Sequence, residues 1–447
     1  MRSFTSASLL DGSGLSLALA PGLTPAGLSE SPEFFSGFAV APTVLARGLL
    51  VLADVARTRY FQPVPAGGGG SDPICTANGD RLRFEAFSAC NTVAVRLDLL
   101  AGAFDGGDIR HGTTNVDINQ PLREALGGVS PAEPMHLSVG DGGLRVSTLE
   151  ATHVERRVEL PERWLRALGP AQELSRDLAL IGQTPAVQTR QLLASLASAP
   201  GGLGHWSVSR RGVRPALRPG RGTVYAENLG RLRAARRLGQ QITGLRVYGA
   251  GDGAEAASVW ELDLPHGRLT FTLTAEYHRS FSGEGALLPK LAARTAVEDA
   301  EAVAERLAFE PRIDVPALAA RTGLDEERVG QGLAVLAVDG RVGYDLFEGA
   351  YFHRELPSPP AGRAARVLRA NPRLKNARRL VDDGAVRPCE GHPGVYRVRG
   401  GRDGQDEYVV RTEPAGCSCR WWRRYGGARG ACKHLLAARL SQEALHD

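Results

Sequence analysis

The 447-residue chain predicts a multidomain α+β protein: a mixed N-terminal region (1–285), a three-helix-and-hairpin module (292–357) and a basic C-terminal region (363–447) ending in a small ββα unit. Three observations predict it. Over the first 280 residues, runs of period-two alternation interleave with runs of helical spacing. Then three capped helical segments lead into a hairpin with Glu348-Gly349 at its tip. Finally, three of the six cysteines crowd into residues 417–432. An apolar content of 43% allows each domain a core, and six cysteines in this length make no disulfide scaffold.

In the N-terminal region, FFSGFAVAPTVLARGLLVLADVARTRYF (34–61) takes on helical apolar spacing after Pro42. The GGGG run at 67–70 predicts a flexible loop. RLRFEAFSA (81–89) and TVAVRLDLL (92–100) read as half-buried strands, and MHLSVGDGGLRVSTL (135–149) as a hairpin around GDGG. Residues 161–199 turn helical in three pieces: ERWLRALG, AQELSRDLALIG and PAVQTRQLLASLAS. RLRAARRLGQ (231–240) adds a short helix, and GLRVYGA, SVWELDLP and RLTFTLTAEYH (244–278) return to strand character. The most apolar run, 44–56, carries Arg47 and Asp54, so no membrane span is expected. MRSFTSASLL lacks the basic start and apolar core of a secretory signal, and a reducing cytoplasm is the expected compartment.

In residues 292–357, AVEDAEAVAERLAF is an acidic amphipathic helix. Asp314 caps a second helix with Pro316 in its first turn, and Asp325 caps a third carrying Val329, Leu333 and Leu336 on one face. Asp339-Gly340 ends it, and RVGYDLFEGAYFHREL follows as a hairpin. This order resembles a winged helix-turn-helix. Yet the module holds thirteen acidic against seven basic residues, and Asp325-Glu326-Glu327 opens its third helix. Phosphates would repel that triplet, so the module is expected to meet proteins or act as a spacer.

ELPSPPAGRAA (355–365) reads as a linker, and RAARVLRANPRLKNARRLVDDG as a basic helical stretch. VYRVRG (395–400) and DEYVVRT (406–412) form a hairpin, and HLLAARLSQEAL a closing helix. Between them, Cys417, Cys419, Cys432 and His434 form C-x-C-x12-C-x-H. Three thiolates and an imidazole complete a tetrahedral zinc shell. Neighbours one apart on a strand point to opposite faces, so Cys417 and Cys419 share an ion only where the backbone turns sharply. Four protein donors leave no position for water, so one structural Zn2+ is expected. Cys389 and His392 are auxiliary candidates, and Cys75 and Cys90 read as core thiols.

The C-x-C…C-x-H pattern, with a hairpin before it and a helix after it, resembles the SWIM zinc finger over roughly residues 393–440. A SWIM finger behind a long N-terminal region and a winged-helix-like module is also similar to a family of bacterial SWIM zinc finger proteins. SWIM fingers bind DNA or other proteins, and the resemblance leaves both open.

Residues 363–447 carry eighteen basic and nine acidic residues, net +9 of a total of +5, so the positive charge concentrates here. Within the spacer, Arg420, Arg423, Arg424 and Arg429 alternate with Trp421, Trp422 and Tyr425, and Lys433 follows. Guanidiniums for phosphates and aromatic faces for bases suit unspecific nucleic-acid binding. The opposing reading packs the tryptophans on the hairpin and leaves the arginines solvated. A second basic stretch, 210–237, has nine arginines and one acid, and RRGVRPALRPGRG within it reads as a loop. No P-loop or G-x-S-x-G elbow occurs, and GAGDG at 249–253 lacks dinucleotide-binding spacing. The His111 segment with Asp108 and Asp117 reads as a structural loop. The expectation is therefore a non-enzymatic zinc-finger protein that binds nucleic acid through its tail. The alternative is an adaptor that meets proteins through the module and N-terminal region.

Overall fold

The computed structural model describes residues 9–11, 14–16, 22–24, 27–29, 33–61, 73–158, 160–196, 204–281, 287–292, 295–356, 371–400, 406–427 and 429–446. The Gly67–Gly70 loop, most of the 355–365 linker and the start of the basic helical stretch lie outside them. Among the described residues no helix is long and apolar enough to cross a membrane.

The N-terminal region is built on an eight-stranded antiparallel sheet. Its order is His111–Asn115, Ile74–Asn78, Arg81–Phe87, Val93–Leu100, Gly267–Leu273, Ser258–Leu264, Gly244–Gly249 and Ala179–Pro185. Helix Pro42–Arg57 packs on the middle strands, where Gly48 lies so close to Leu97 that a Cβ would stand 2.6 Å from its Cδ2. A second sheet runs Thr152–Arg156, Gly143–Ser147, His136–Gly140, Glu33–Ala39, Phe104–Asp105. The hairpin expected around GDGG is present, with Leu137 opposite Val146.

Three expectations change. AQELSRDLALIG ends its helix at Arg176, and Ala179–Pro185 is an edge strand paired with Gly244–Gly249; that long-range ladder overrides local helix propensity. Part of the expected arginine-rich loop, Gly212–Ala216, is a strand paired with His205–Ser209. The strands read as half-buried are buried on both faces: every residue of Arg81–Phe87 is buried, Arg81, Arg83 and Glu85 included.

What covers that polar face is the hairpin Val342–Asp345/Ala350–His353. Asp345 is fully buried and accepts from Arg83 at 2.9 Å, Arg96 at 3.0 Å and Arg268 at 3.1 Å. Arg83 also reaches Asp98 at 3.0 Å and lies 3.9 Å over the Phe352 ring. Arg81 holds Glu348 at 3.1 Å, and Arg354 pairs with Glu85. Burial alone would push the Asp345 carboxyl up; Arg96, Arg83 and Arg268 outweigh it and hold it far below the usual carboxylate range.

The module behind the hairpin has helices Ala296–Ala304, Val315–Thr322 and Glu326–Asp339. Asp314 accepts from the Ala317 N–H and Asp325 from the Arg328 N–H, and Gly340 closes the last helix at φ 75°. The third helix is packed rather than presented: it meets Ala296–Ala304 and also Glu162–Arg176 of the N-terminal region. Gly332 permits the first contact, since a Cβ there would stand 3.0 Å from the Asp299 carbonyl oxygen.

Two apolar clusters form the interior. One gathers the N-terminal sheets and their helices. The other joins Val303, Leu333 and Leu336 of the helical module to Leu374, Val398, Val410, Leu435 and Leu436 of the tail. The cysteine-bearing segment thus shares a core with its neighbour.

Removing the Asp345 charge takes from Arg83, Arg96 and Arg268 the buried counter-ion they share. Asp345→Asn is expected to lose about 3–5 kcal/mol, read as a lower urea midpoint. A carboxyl whose folded pKa lies below its unfolded one stabilises fully above the unfolded value near ~4. That gain declines as pH falls and is gone once pH passes the folded value. The wild-type advantage over Asp345→Asn should therefore shrink only in acid; an advantage unchanged down to the most acidic pH would contradict the assignment.

Candidate metal centre

Residues 386–446 form a four-stranded sheet in the order Val386–Pro388, Val395–Gly400, Asp406–Arg411, Gly416–Cys417, followed by helices Arg420–Tyr425 and Lys433–His446. Cys417 lies in the last strand opposite Val410, and the Ser418 N–H continues the ladder to the Val409 carbonyl. The chain then turns from strand to helix at Cys419, which is the N-cap of Arg420–Tyr425. This sharp turn is what lets Cys417 and Cys419 face one point.

The second pair is placed by the closing helix. Cys432 directly precedes it, and the Leu435 N–H donates to Cys432 Sγ at 3.4 Å. The Trp422 N–H does the same for Cys419 Sγ at 3.4 Å. Two of the three sulfurs thus sit at helix starts, where unsatisfied N–H groups favour thiolate. His434 follows in the first turn with Nδ1 3.8 Å from Cys417 Sγ.

The ligand atoms of Cys417, Cys419, Cys432 and His434 all lie within 4.8 Å of one another, and all four residues are buried. In the all-thiol cluster, hydrogen bonds from Cys417 and Cys432 pull Cys419 well below a free thiol, and the bond to Cys419 pushes Cys417 up. For Cys432, Cys417 pulls down, but Cys419 and burial outweigh it and push the thiol up. An ion that takes all three sulfurs as thiolates resolves this competition. The donor set fits a metal ion, and four protein donors close a tetrahedral shell.

The imidazole is held from outside the shell. Tyr408 stacks on it with ring centroids 4.3 Å apart. Gly400 faces its other nitrogen: a Cβ there would stand 2.8 Å from His434 Nε2. That Nε2 is buried and finds no partner among the described residues. Neither feature was legible in the ligand spacing, because both come from strands of the preceding hairpin.

The remaining candidates separate. Arg420, Arg423 and Arg424 are exposed, with no ion pair among the described residues. Trp421 and Trp422 are half-buried against the shared core. Trp421 meets Tyr425 edge-on at 5.2 Å, and the Arg373 guanidinium lies 5.3 Å over it. Arg429 is engaged: it pairs with Glu276 of the N-terminal region and lies 4.0 Å over the Tyr425 ring. Lys433 is half-buried at the start of the closing helix. Cys389 and His392 stand outside the cluster, Cys75 and Cys90 are buried free thiols, and His111 opens an edge strand.

No family model and no curated protein matches the chain. Among solved structures it is similar to Proliferating Cellular Nuclear Antigen from Entamoeba histolytica, at 11% identity and TM-score 0.35, covering 54% of this chain and 99% of that one. It is also similar to the PCNA2-PCNA3 complex from Sulfolobus tokodaii, at 10% identity and TM-score 0.38, covering 54% of this chain and 100% of that one. Likeness at this level carries no function across.

Gly400→Ala should displace the imidazole without touching a ligand. A roughly 10–100-fold loss of metal affinity in a chelator competition is the expected outcome, the scale on which outer-shell partners act. Affinity equal to wild type would show that His434 has no need of the cradle.

Proposed function

We propose that the C-terminal region is a zinc-stabilised, SWIM-type module that binds nucleic acid. The observation that carries the reading is the pairing of a closed four-donor cluster with a helix, Arg420–Tyr425, whose three exposed arginines lack acidic partners among the described residues. Zinc is favoured because three thiolates and one imidazole at tetrahedral closeness suit it among common ions. Its role is structural: it fixes the helix start at Cys419 and so fixes where Arg420, Arg423 and Arg424 stand. The half-buried Trp421 and Trp422 keep part of their faces for bases. We read the chain as non-enzymatic.

The element order of the acidic module supports a winged-helix reading, but not as a groove reader. Its hairpin lies on the chain's own sheet, and its third helix is packed against two others. The adaptor alternative loses those two faces of the module and keeps the N-terminal region.

Anisotropy of a labelled single-stranded oligonucleotide with the full chain tests the proposal. Log affinity should fall linearly with log salt, and Arg423→Ala with Arg424→Ala should lower that slope by about 1.4, at roughly 0.7 per phosphate contact. No binding at low salt, or an unchanged slope, would leave the adaptor reading.

A further inference from the structure

A cavity of about 970 Å³ opens where helix Pro42–Arg57 ends, beside helix Gln120–Gly128 and the 3-10 stretch Leu229–Leu238. Its volume falls in the range of small-ligand sites. Arg57, Arg59, Arg123, Arg233, Arg236 and Arg237 line it, with Asp54 the only acid among the described residues. Asp54 is fully used, one oxygen taken by Arg123 at 2.6 Å and the other by Arg237 at 2.5 Å. Arg236 is fixed by the carbonyls of Leu193 and Ala194, at 2.6 and 2.9 Å. These bonds hold the guanidiniums in place and neutralise only one charge.

The exposed guanidiniums point to an anion site. Arg59 and Arg233 are exposed with no partner among the described residues. Arg123 lines the same wall with its Nη2 on Asp54. Like charges gathered in a concave site attract a multiply charged anion. Tyr60, Phe61 and Tyr277 add aromatic surface to the lining. Guanidiniums beside rings match phosphate beside base.

We infer that this cavity binds a nucleoside phosphate, free or as one unit of a single strand, with its phosphates on Arg59 and Arg233. It is a second site, and it does not depend on the finger's role. The two are neighbours, since Tyr277 of the lining follows Glu276, the partner of Arg429.

The test titrates the full chain with a fluorescent ATP analogue, then with a labelled oligothymidylate, for wild type and for Arg59→Ala/Arg233→Ala. Both substituted residues are exposed, so melting should match wild type. Saturable binding of the ATP analogue that drops about tenfold or more in the variant is expected and assigns a free nucleotide. If the analogue does not bind but oligothymidylate affinity drops likewise, the ligand unit belongs to a strand. An unchanged affinity for both probes overturns the proposal, whatever the Arg423/Arg424 salt slope reports of the finger. Pyrophosphate competing as well as ATP would overturn the nucleoside assignment.

Discussion

One buried carboxylate organises the contact between the two halves of this protein. The central strands of the eight-stranded sheet place Arg81, Arg83, Arg96 and Arg268 on the face opposite helix Pro42–Arg57. Left to solvent, that face would be an ordinary polar surface. Covered, it needs anions inside it, because unpaired guanidiniums away from water are prohibitively costly. Asp345 meets the need, with Glu348 and the Arg354–Glu85 pair at its sides. A hydrophobic contact of equal area would bind as well but could slide; charge pairs at fixed positions set register. The strands of the hairpin are thereby fixed on the sheet.

Fixing the hairpin also fixes the tail. The helix that ends at Gly340 lies in the apolar cluster that includes Leu374, Leu435 and Leu436. The Cys/His cluster belongs to the same core, with Cys417, Cys419 and Cys432 among its buried residues. The Arg429–Glu276 pair adds a direct tie to the N-terminal region. The cysteine segment is thus a short sheet and two helices held from one side by a shared core and from the other by four converging donors.

Much of this was legible where the determinant is local. Asp314, Asp325 and Gly340 act within a few residues of themselves, and the helices they bound are present. The four donors named from spacing meet within 4.8 Å, because the C-x-C and C-x-H pairs each need only a local turn. What was illegible is long-range. Arg83 finds Asp345 262 residues away, so period-two alternation predicted an exposed face that is buried. Arg429 finds Glu276 at a separation of 153, which removes it from the free arginines. The strand Ala179–Pro185 exists because of a partner at 244–249. The cavity gathers positions from 54 to 277, and no window of sequence shows it.

The same separation explains why arginine content is a poor guide to partners here. Arg81, Arg83, Arg96, Arg231, Arg268 and Arg354 are all buried and serve the interior. Arg231 is the instructive case. Burial pushes it down to about 10, and its two terminal nitrogens donate to the carbonyls of Glu227, Thr92 and Thr274. Those bonds pin the stretch Leu229–Leu238 to the sheet, and with it the positions of Arg233, Arg236 and Arg237 around the cavity. A buried cation here acts as a mount for exposed ones. Net charge counts both alike, yet only the mounted residues can meet a phosphate. Interior contacts therefore decide which part of the positive charge faces outward: at the Arg420–Tyr425 helix through the sulfur of Cys419, and at the cavity through Arg231 and Asp54.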